Sequence, residues 1–473
     1  ADVCQEQVRG RAMTKWSWWG AELLGRHADD RVWARAADRE VTFGRLRHET
    51  AWLADVLRQY GIRPRSTVAL YGNASFTYPW TLFALWSLGA RVVLPEVPPG
   101  PRSPDVPRGP ERIQFSVSLG ENRRRPHDFV DECEVLVRRH AGGAPDAAGH
   151  CLVQFSSGTT GRPKAIGRTP DSLSAELGRL AAVEGLPRRG ERVAVLEPLS
   201  HSFGLIGGVL HALAVGATVV MPVDRSAAAS VRAVADAHVV LGNPHHFRGL
   251  ARAEPGRFPH LRLAVSSGEA LPSEVPAVFR ARHGVRVGQA YGTTETGIIA
   301  ADPTGRFGPA GIGVPVPGAR TRVVGGVLEV HVPESPYLYD GTPWAGGWMS
   351  TRDLVTRDSR TGALRLRGRV QGVGDPSVDL LRIESVLRAH RHITDAVVLG
   401  VGPIEAHVAS SAELDGNELR SWCRRFLGTT PAPDRYHLLR ELPRTTNGKV
   451  VRDHGLLRRH RMHPPGACRC ISW

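Results

Sequence analysis

The chain has 473 residues, 41% hydrophobic and 23% charged, a composition that excludes global disorder, a collagen-like repeat and a disulfide scaffold. Its length suggests about three structural units and allows sizeable cores with no metal or disulfide staple. The net charge is +15, yet the basic residues are scattered, with tight runs only at 123–125 and 458–461. No reader motif accompanies them, so no nucleic-acid partner is expected.

Short apolar runs alternate with helical patterns along the chain. Residues 67–71 and 91–94 read as strands, with a helix at 79–88 between them. A proline-rich loop follows at 95–110, and a small-residue linker at 141–149. Further strands are expected at 192–196, 217–221, 238–241 and 261–266. This alternation predicts an α/β fold with substantially parallel sheet. Residues 204–223 imitate a membrane span, but four glycines punctuate them. A buried helix, a glycine stop and a core strand explain the segment better. After Gly313 the strands shorten, at 321–324 and 327–331, which suggests a β-rich subdomain. A break falls at 368–376. A helix (380–390), a strand (396–400) and a helix (417–427) then suggest a small α+β lid.

Six cysteines form no CxxC pair, which points to free thiols in a reducing compartment. Asp2, Glu6, Arg9 and Arg11 interrupt the N-terminus, so it does not read as a secretory signal. The paired His245 and His246 have no third ligand nearby in sequence and read as structural.

The sharpest segment is SSGTTGRPK at 156–164, placed after an apolar run. Glycines let main-chain N–H groups face a phosphate, hydroxyls add donors, and a lysine adds a point charge. It is not a Walker loop, which needs GxxxxGK[ST]. Only Lys15, Lys164 and Lys449 are lysines in a chain that otherwise uses arginine. Two of the three therefore stand where a compact ammonium has a use.

SSGTTGRPK resembles the phosphate-binding signature of the adenylate-forming (AMP-binding) superfamily: acyl-CoA synthetases, adenylation domains and luciferases. The resemblance continues in order through AYGTTET (290–296), GIGVPVPG (311–318), WMSTRD (348–353), Gly368–Arg369 and LPRTTNGK (442–449). It implies a large N-terminal ATP- and acid-binding domain of layered α/β subdomains plus a β-rich subdomain, residues 1–369. A small mobile α+β lid, residues 370–473, would carry the catalytic lysine. It also implies activation of a carboxylic acid by ATP and Mg²⁺, giving acyl-AMP and pyrophosphate.

The resemblance assigns roles residue by residue. Ser156, Ser157, Gly158, Thr159, Thr160, Gly161 and Lys164 would close on the β- and γ-phosphates. Ala290, Tyr291, Gly292 and Thr293 would line the adenine side, with Tyr291 offering a ring face. Thr294 would bond the α-phosphate, and Glu295 would hold Mg²⁺. Asp353 and Arg369 would hold the ribose, and Lys449 would neutralise charge at the reacting oxygens. His201 and Phe203, in EPLSHSFGL, and Ser267 and Gly268, in VSSGEALP, would border the acid. The GEALP form is similar to aryl-acid ligases, and no aspartate occurs from 201 to 223 to hold an α-ammonium. A benzoate-like acid is therefore expected over an α-amino acid.

Three departures stand out. Arg352 replaces the glycine of the W..TGD element, Gln371 occupies the hinge position, and the loop 371–382 is short. In members that use coenzyme A this region rotates after adenylation. Coenzyme A is the default acceptor. A carrier protein, an amine, activation of nitrite, and a catalytically silent protein of the same fold stay open. A cytoplasmic location is inferred from ATP dependence.

Overall fold

The computed structural model describes residues 18–72, 74–95, 112–120, 129, 131–146, 148–156, 164–338, 344–370, 378–400, 402–445 and 448–460. Two sheets build the larger N-terminal part. In the six-stranded sheet, Thr67–Gly72 pairs in parallel with Arg91–Val93 and Phe115–Leu119, and Arg91–Val93 with Leu152–Ser156. The edges, Val135–Arg139 and Lys164–Arg168, are antiparallel. The central strands bury both faces, as the continuous apolar runs require.

The larger sheet has fourteen strands among the described residues. Its parallel heart runs Val32–Ala36, Thr218–Met221, Arg192–Val195, Val239–Gly242, Leu263–Ser266 and Val287–Thr293. The later strands are antiparallel. Gly297–Asp302, Gly311–Pro315 and Leu364–Arg369 link the heart to Trp348–Arg357, Val327–His331 and Thr321–Val324. The expected β-rich region is therefore hydrogen-bonded into the main sheet.

The main core lies between the two sheets. Its helix Thr77–Ser87 buries ten of eleven residues, which explains why that segment reads as apolar on all sides. A second core, with Phe247, Phe258 and Phe279, covers the other face of the parallel strands. The membrane-like segment is a π-helical stretch, Phe203–Leu210, continued by His211–Val215. It stops at Gly216, whose φ of 74° suits glycine, and Thr218–Met221 follows as a core strand. Among the described residues no helix is long and apolar enough to cross a membrane. The segment 141–149 is more than a spacer: Asp146 is buried and pairs with Arg91 at 2.7 Å.

The smaller C-terminal domain is a three-stranded sheet, Ile393–Gly400, Ile404–Ser410 and Arg435–Leu439. Leu380–Arg388 and Gly416–Phe426 pack on one face. His454–His460 packs on the other through Leu457. This mixed α/β arrangement of a large and a small domain is the fold class the sequence implies. The proline-rich loop from residue 96 and the hinge residues 371–377 lie outside the described residues. Cys133, Cys151 and Cys423 are free thiols.

Candidate active site

Parallel α/β sheets bind ligands beyond the carboxyl ends of their strands, and the sequence-derived residues gather there in two groups. The first is polyanion-friendly. Val287–Thr293 and Gly297–Asp302 form a hairpin whose turn is Thr294–Glu295–Thr296. The hairpin is tight, since a Cβ at Gly292 would lie 2.4 Å from the Gly297 carbonyl oxygen. The helix Pro170–Ala181 braces it from behind. Glu176 accepts from Ile298 N at 3.1 Å while paired with Arg168 at 2.7 Å, and Arg179 donates to the Thr296 carbonyl at 3.0 Å.

Beside the hairpin, the Tyr291 hydroxyl donates to Asp353 at 2.6 Å. Burial, then the Asp353 charge, push the Tyr291 phenol well above its ordinary range, so it stays a donor. Asp353 and Arg369 are cross-strand partners, with Arg369 Nε 3.8 Å from Asp353 Oδ1. One oxygen of Asp353 is thus already engaged by Tyr291, and the Tyr291 ring is fixed at its hydroxyl end.

Ser156 and Lys164 are registered neighbours across a hairpin, so the loop between them starts and ends at one place. Ser157, Gly158, Thr159, Thr160 and Gly161 lie outside the described residues. Lys164 Nζ sits 5.3 Å over the Tyr337 ring. Burial lowers its pKa, Glu295 opposes this, and Arg352 and Arg369 add to it. Three cations, Lys164, Arg352 and Arg369, therefore share this corner with Glu295 and Asp353. An anion such as a triphosphate would relieve that crowding, so the residue set fits ATP. Arg352 takes φ 62°, the left-handed region that a glycine would adopt without strain.

The second group surrounds Lys449. Its loop is closed by Thr445 N to the Lys449 carbonyl at 2.8 Å and Arg444 to the Gly448 carbonyl at 2.9 Å. Val450 N donates to Glu269 Oε1 of the large domain at 2.7 Å, which docks the loop. Gly268, at φ 87°, leaves room for the lysine: a Cβ there would lie 3.0 Å from Lys449 Cε and Nζ. Ser267 precedes it, buried.

Glu197 and His201 face the same ammonium. Burial raises the Glu197 carboxyl to about 7 against the pull of Lys449 and a hydrogen bond with Asn243. Burial, then Lys449 and Arg225, hold His201 down at about 3, so its imidazole is neutral. Phe203 opens the π-helical stretch, and its ring lies against Gly207. His246 serves locally, closing a capping box with Asn243 and lying 3.6 Å from Glu197. His245 packs against Gly448.

Sequence reasoning did not single out Glu197, Glu269, Asn243 or Arg225. Glu197 did leave a trace, as an acidic residue directly after an apolar strand run and before a proline.

With this geometry in place, comparisons identify the class. The family description "AMP-binding enzyme" matches residues 110–335, and "AMP-binding enzyme C-terminal domain" matches residues 382–449. The chain is 26% identical to a feruloyl-CoA synthase of an Amycolatopsis species, over 87% of this chain and 92% of that one. It is 29% identical to a benzoate–CoA ligase of Thauera aromatica, over 64% and 65%. ATP-bound MatB of Rhodopseudomonas palustris superposes with a TM-score of 0.78 at 19% identity, covering 93% of this chain and 98% of that one. The fold is that of adenylate-forming enzymes, and the chain is an AMP-forming acid ligase. The chain belongs to the AMP-binding enzyme family.

Proposed function

We propose that this ligase activates an aryl carboxylic acid as its acyl-adenylate, with ATP and Mg²⁺, and passes the acyl group to a thiol such as coenzyme A. The observation that carries the reading is the seating of Lys449 of the small domain against Gly268 of the large one, where its charge acts on Glu197, His201 and Glu269. An ammonium held there meets an acid carboxylate and an α-phosphate together. Charge neutralisation at that point supplies much of the rate in phosphoryl and acyl transfer.

Lys164, Ser156 and the loop between them hold the β- and γ-phosphates, with Arg352 beside them. Thr294 bonds the α-phosphate, and Glu295 supplies the oxygen ligand that Mg²⁺ prefers. Ala290, Tyr291, Gly292 and Thr293 line the adenine side, while Asp353 and Arg369 take the ribose. His201, Phe203, Ser267 and Gly268 border the acid. A neutral His201 and an apolar π-helical wall favour a planar ring over a charged side chain. The names of the two relatives, feruloyl- and benzoate-activating enzymes, support an aryl acid for this chain as well. The cytoplasm is the compartment proposed, on ATP dependence.

The test is ATP–pyrophosphate exchange with a panel of aryl, aliphatic and amino acids, run beside Lys449→Ala. An aryl acid should drive exchange, and the variant should lose about 10²-fold or more while its ATP affinity stays within a few-fold. Exchange that prefers aliphatic or amino acids would overturn the aryl assignment. Equal exchange in the variant would overturn the lysine's role.

A further inference from the structure

The small domain carries a buried cluster that takes no part in the proposed reaction. Ile404–Ser410 and Arg435–Leu439 pair in parallel with His407 opposite His437. Glu405 lies two residues before His407 and so on the same face. Glu405 and His407 are fully buried and His437 is 5% exposed. One ligand atom from each lies within 4.8 Å of the other two.

A fourth group joins from the helix that covers this face. His454 Nε2 lies 3.0 Å from Glu405 Oε2, the oxygen that has His437 Nε2 at 3.2 Å and His407 Nε2 at 3.8 Å. Three imidazole Nε2 atoms thus converge on one carboxylate oxygen. Arg458 and Arg435 contact the other oxygen, Oε1, at 2.7 and 3.3 Å.

We propose that Glu405, His407, His437 and His454 form a structural site for a zinc-like divalent transition metal. Tetrahedral zinc with bonds of about 2.0–2.1 Å sets its ligand atoms roughly 3.3–3.4 Å apart; the contacts to Oε2 bracket that spacing, and His454, outside the group of three whose atoms all lie within 4.8 Å of one another, would turn inward to complete the tetrahedron. The donor set, imidazole nitrogens and one carboxylate oxygen, is the set that zinc accepts. Both arginines stay on Oε1, where they orient the carboxylate as an outer layer of hydrogen bonds. The Arg435 and Arg458 side chains are 57% and 45% exposed, so water screens their charge from the ion. His454, 32% exposed in its side chain, gives the metal a way in. The ion would clamp the sheet to the helix His454–His460, which begins five residues after Lys449, and so anchor the chain just past the lysine loop.

The experiment uses the full chain without a histidine tag, stripped by chelator and titrated with Zn²⁺ against a chromophoric competitor. Co²⁺ serves as the spectroscopic probe. One equivalent should bind, Co²⁺ should show the visible bands of a tetrahedral centre, and Zn²⁺ should raise Tm. His437→Ala and the more exposed His454→Gln should each weaken binding by at least 10-fold. His454→Gln keeps the test valid if His437→Ala fails to fold. No tight equivalent, six-coordinate cobalt bands, or binding unchanged in His454→Gln would overturn the site. Each would leave an ion-pair hub built on Glu405.

Discussion

Glu197 is the residue where burial and chemistry conflict most directly. It is 5% exposed, close to Lys449, and raised to about 7 from an ordinary 4.5. The sign follows from linkage. Between those values the folded chain keeps a proton that the unfolded chain has lost. The associated stability is therefore fully present below about 4.5 and lost as pH rises through about 7. Glu197→Gln removes this dependence while keeping a group able to bond Asn243. Wild type should lose up to about 3 kcal/mol relative to the variant between pH 4.5 and 8. Paired Tm measurements across that range check it, and a constant difference would place the Glu197 proton elsewhere. Arg352 shows the opposite relation between sequence and structure. Its departure from the family motif is visible in the sequence, whereas its φ of 62° is not. A side chain at that angle costs about 1–2 kcal/mol, and it stays in a cluster with Lys164, Glu295 and Arg369.

At the scale of elements, the central parallel strands were legible because they are apolar runs buried on both faces, as in Val239–Gly242 and Leu263–Ser266. The motif residues stood out because their types and order resemble a family signature, and the described ones Tyr291, Asp353 and Arg369 do meet in space. Glu269 was not legible, because its partner lies far along the chain: it meets Val450, and no local pattern predicts a contact across 181 residues. The π-helical form of Phe203–Leu210 was also hidden, since its composition suits any buried helix. Its glycines expose the reason for the close packing. A Cβ at Gly204 would lie 2.3 Å from the Pro198 carbonyl oxygen and 2.7 Å from that of Glu197. Those are backbone atoms and cannot swing aside. Gly178, in the helix Pro170–Ala181, has nothing within 4 Å of such a Cβ. Gly204→Ala should destabilise by about 1–3 kcal/mol, and Gly178→Ala should stabilise by about 0.5–1 kcal/mol. Denaturant midpoints of the two variants check this, and similar values for both would show that the π-helical segment yields.

At the scale of the whole molecule, the two domains meet through charge. Asp395 of the small sheet contacts Arg248 of the large domain at 3.1 Å and also pairs with Arg444, with Arg388 at 3.9 Å. Its side chain is 8% exposed. Burial would raise its carboxyl, but Arg248 first, then Arg444 and Arg388, hold it below its ordinary range. Nearby, Ser273 and Ser385 bond across the same junction at 2.8 Å. Arg444 also grips the lysine loop through the Gly448 carbonyl, so Asp395 joins the docking surface to the loop of the proposed catalytic lysine. Asp395→Asn keeps the shape but leaves three guanidinium groups near one another, balanced by Glu274, 3.9 Å from Arg248 and from Arg388, and by Glu384, 3.3 Å from Arg388. Losing one partner of a buried pair costs about 3–5 kcal/mol, and less here because Arg248 and Arg444 reach solvent. Lys449 should then leave its seat against Gly268 for much of the time. ATP binding rests on the large domain and should change little. The pyrophosphate-exchange rate should fall at least 10-fold, equivalent to about 1.4 kcal/mol, and the small domain should become more susceptible to limited proteolysis. Exchange at the wild-type rate would mean that the Glu269–Val450 contact alone docks the lysine loop, and that the Asp395 network serves stability rather than catalysis.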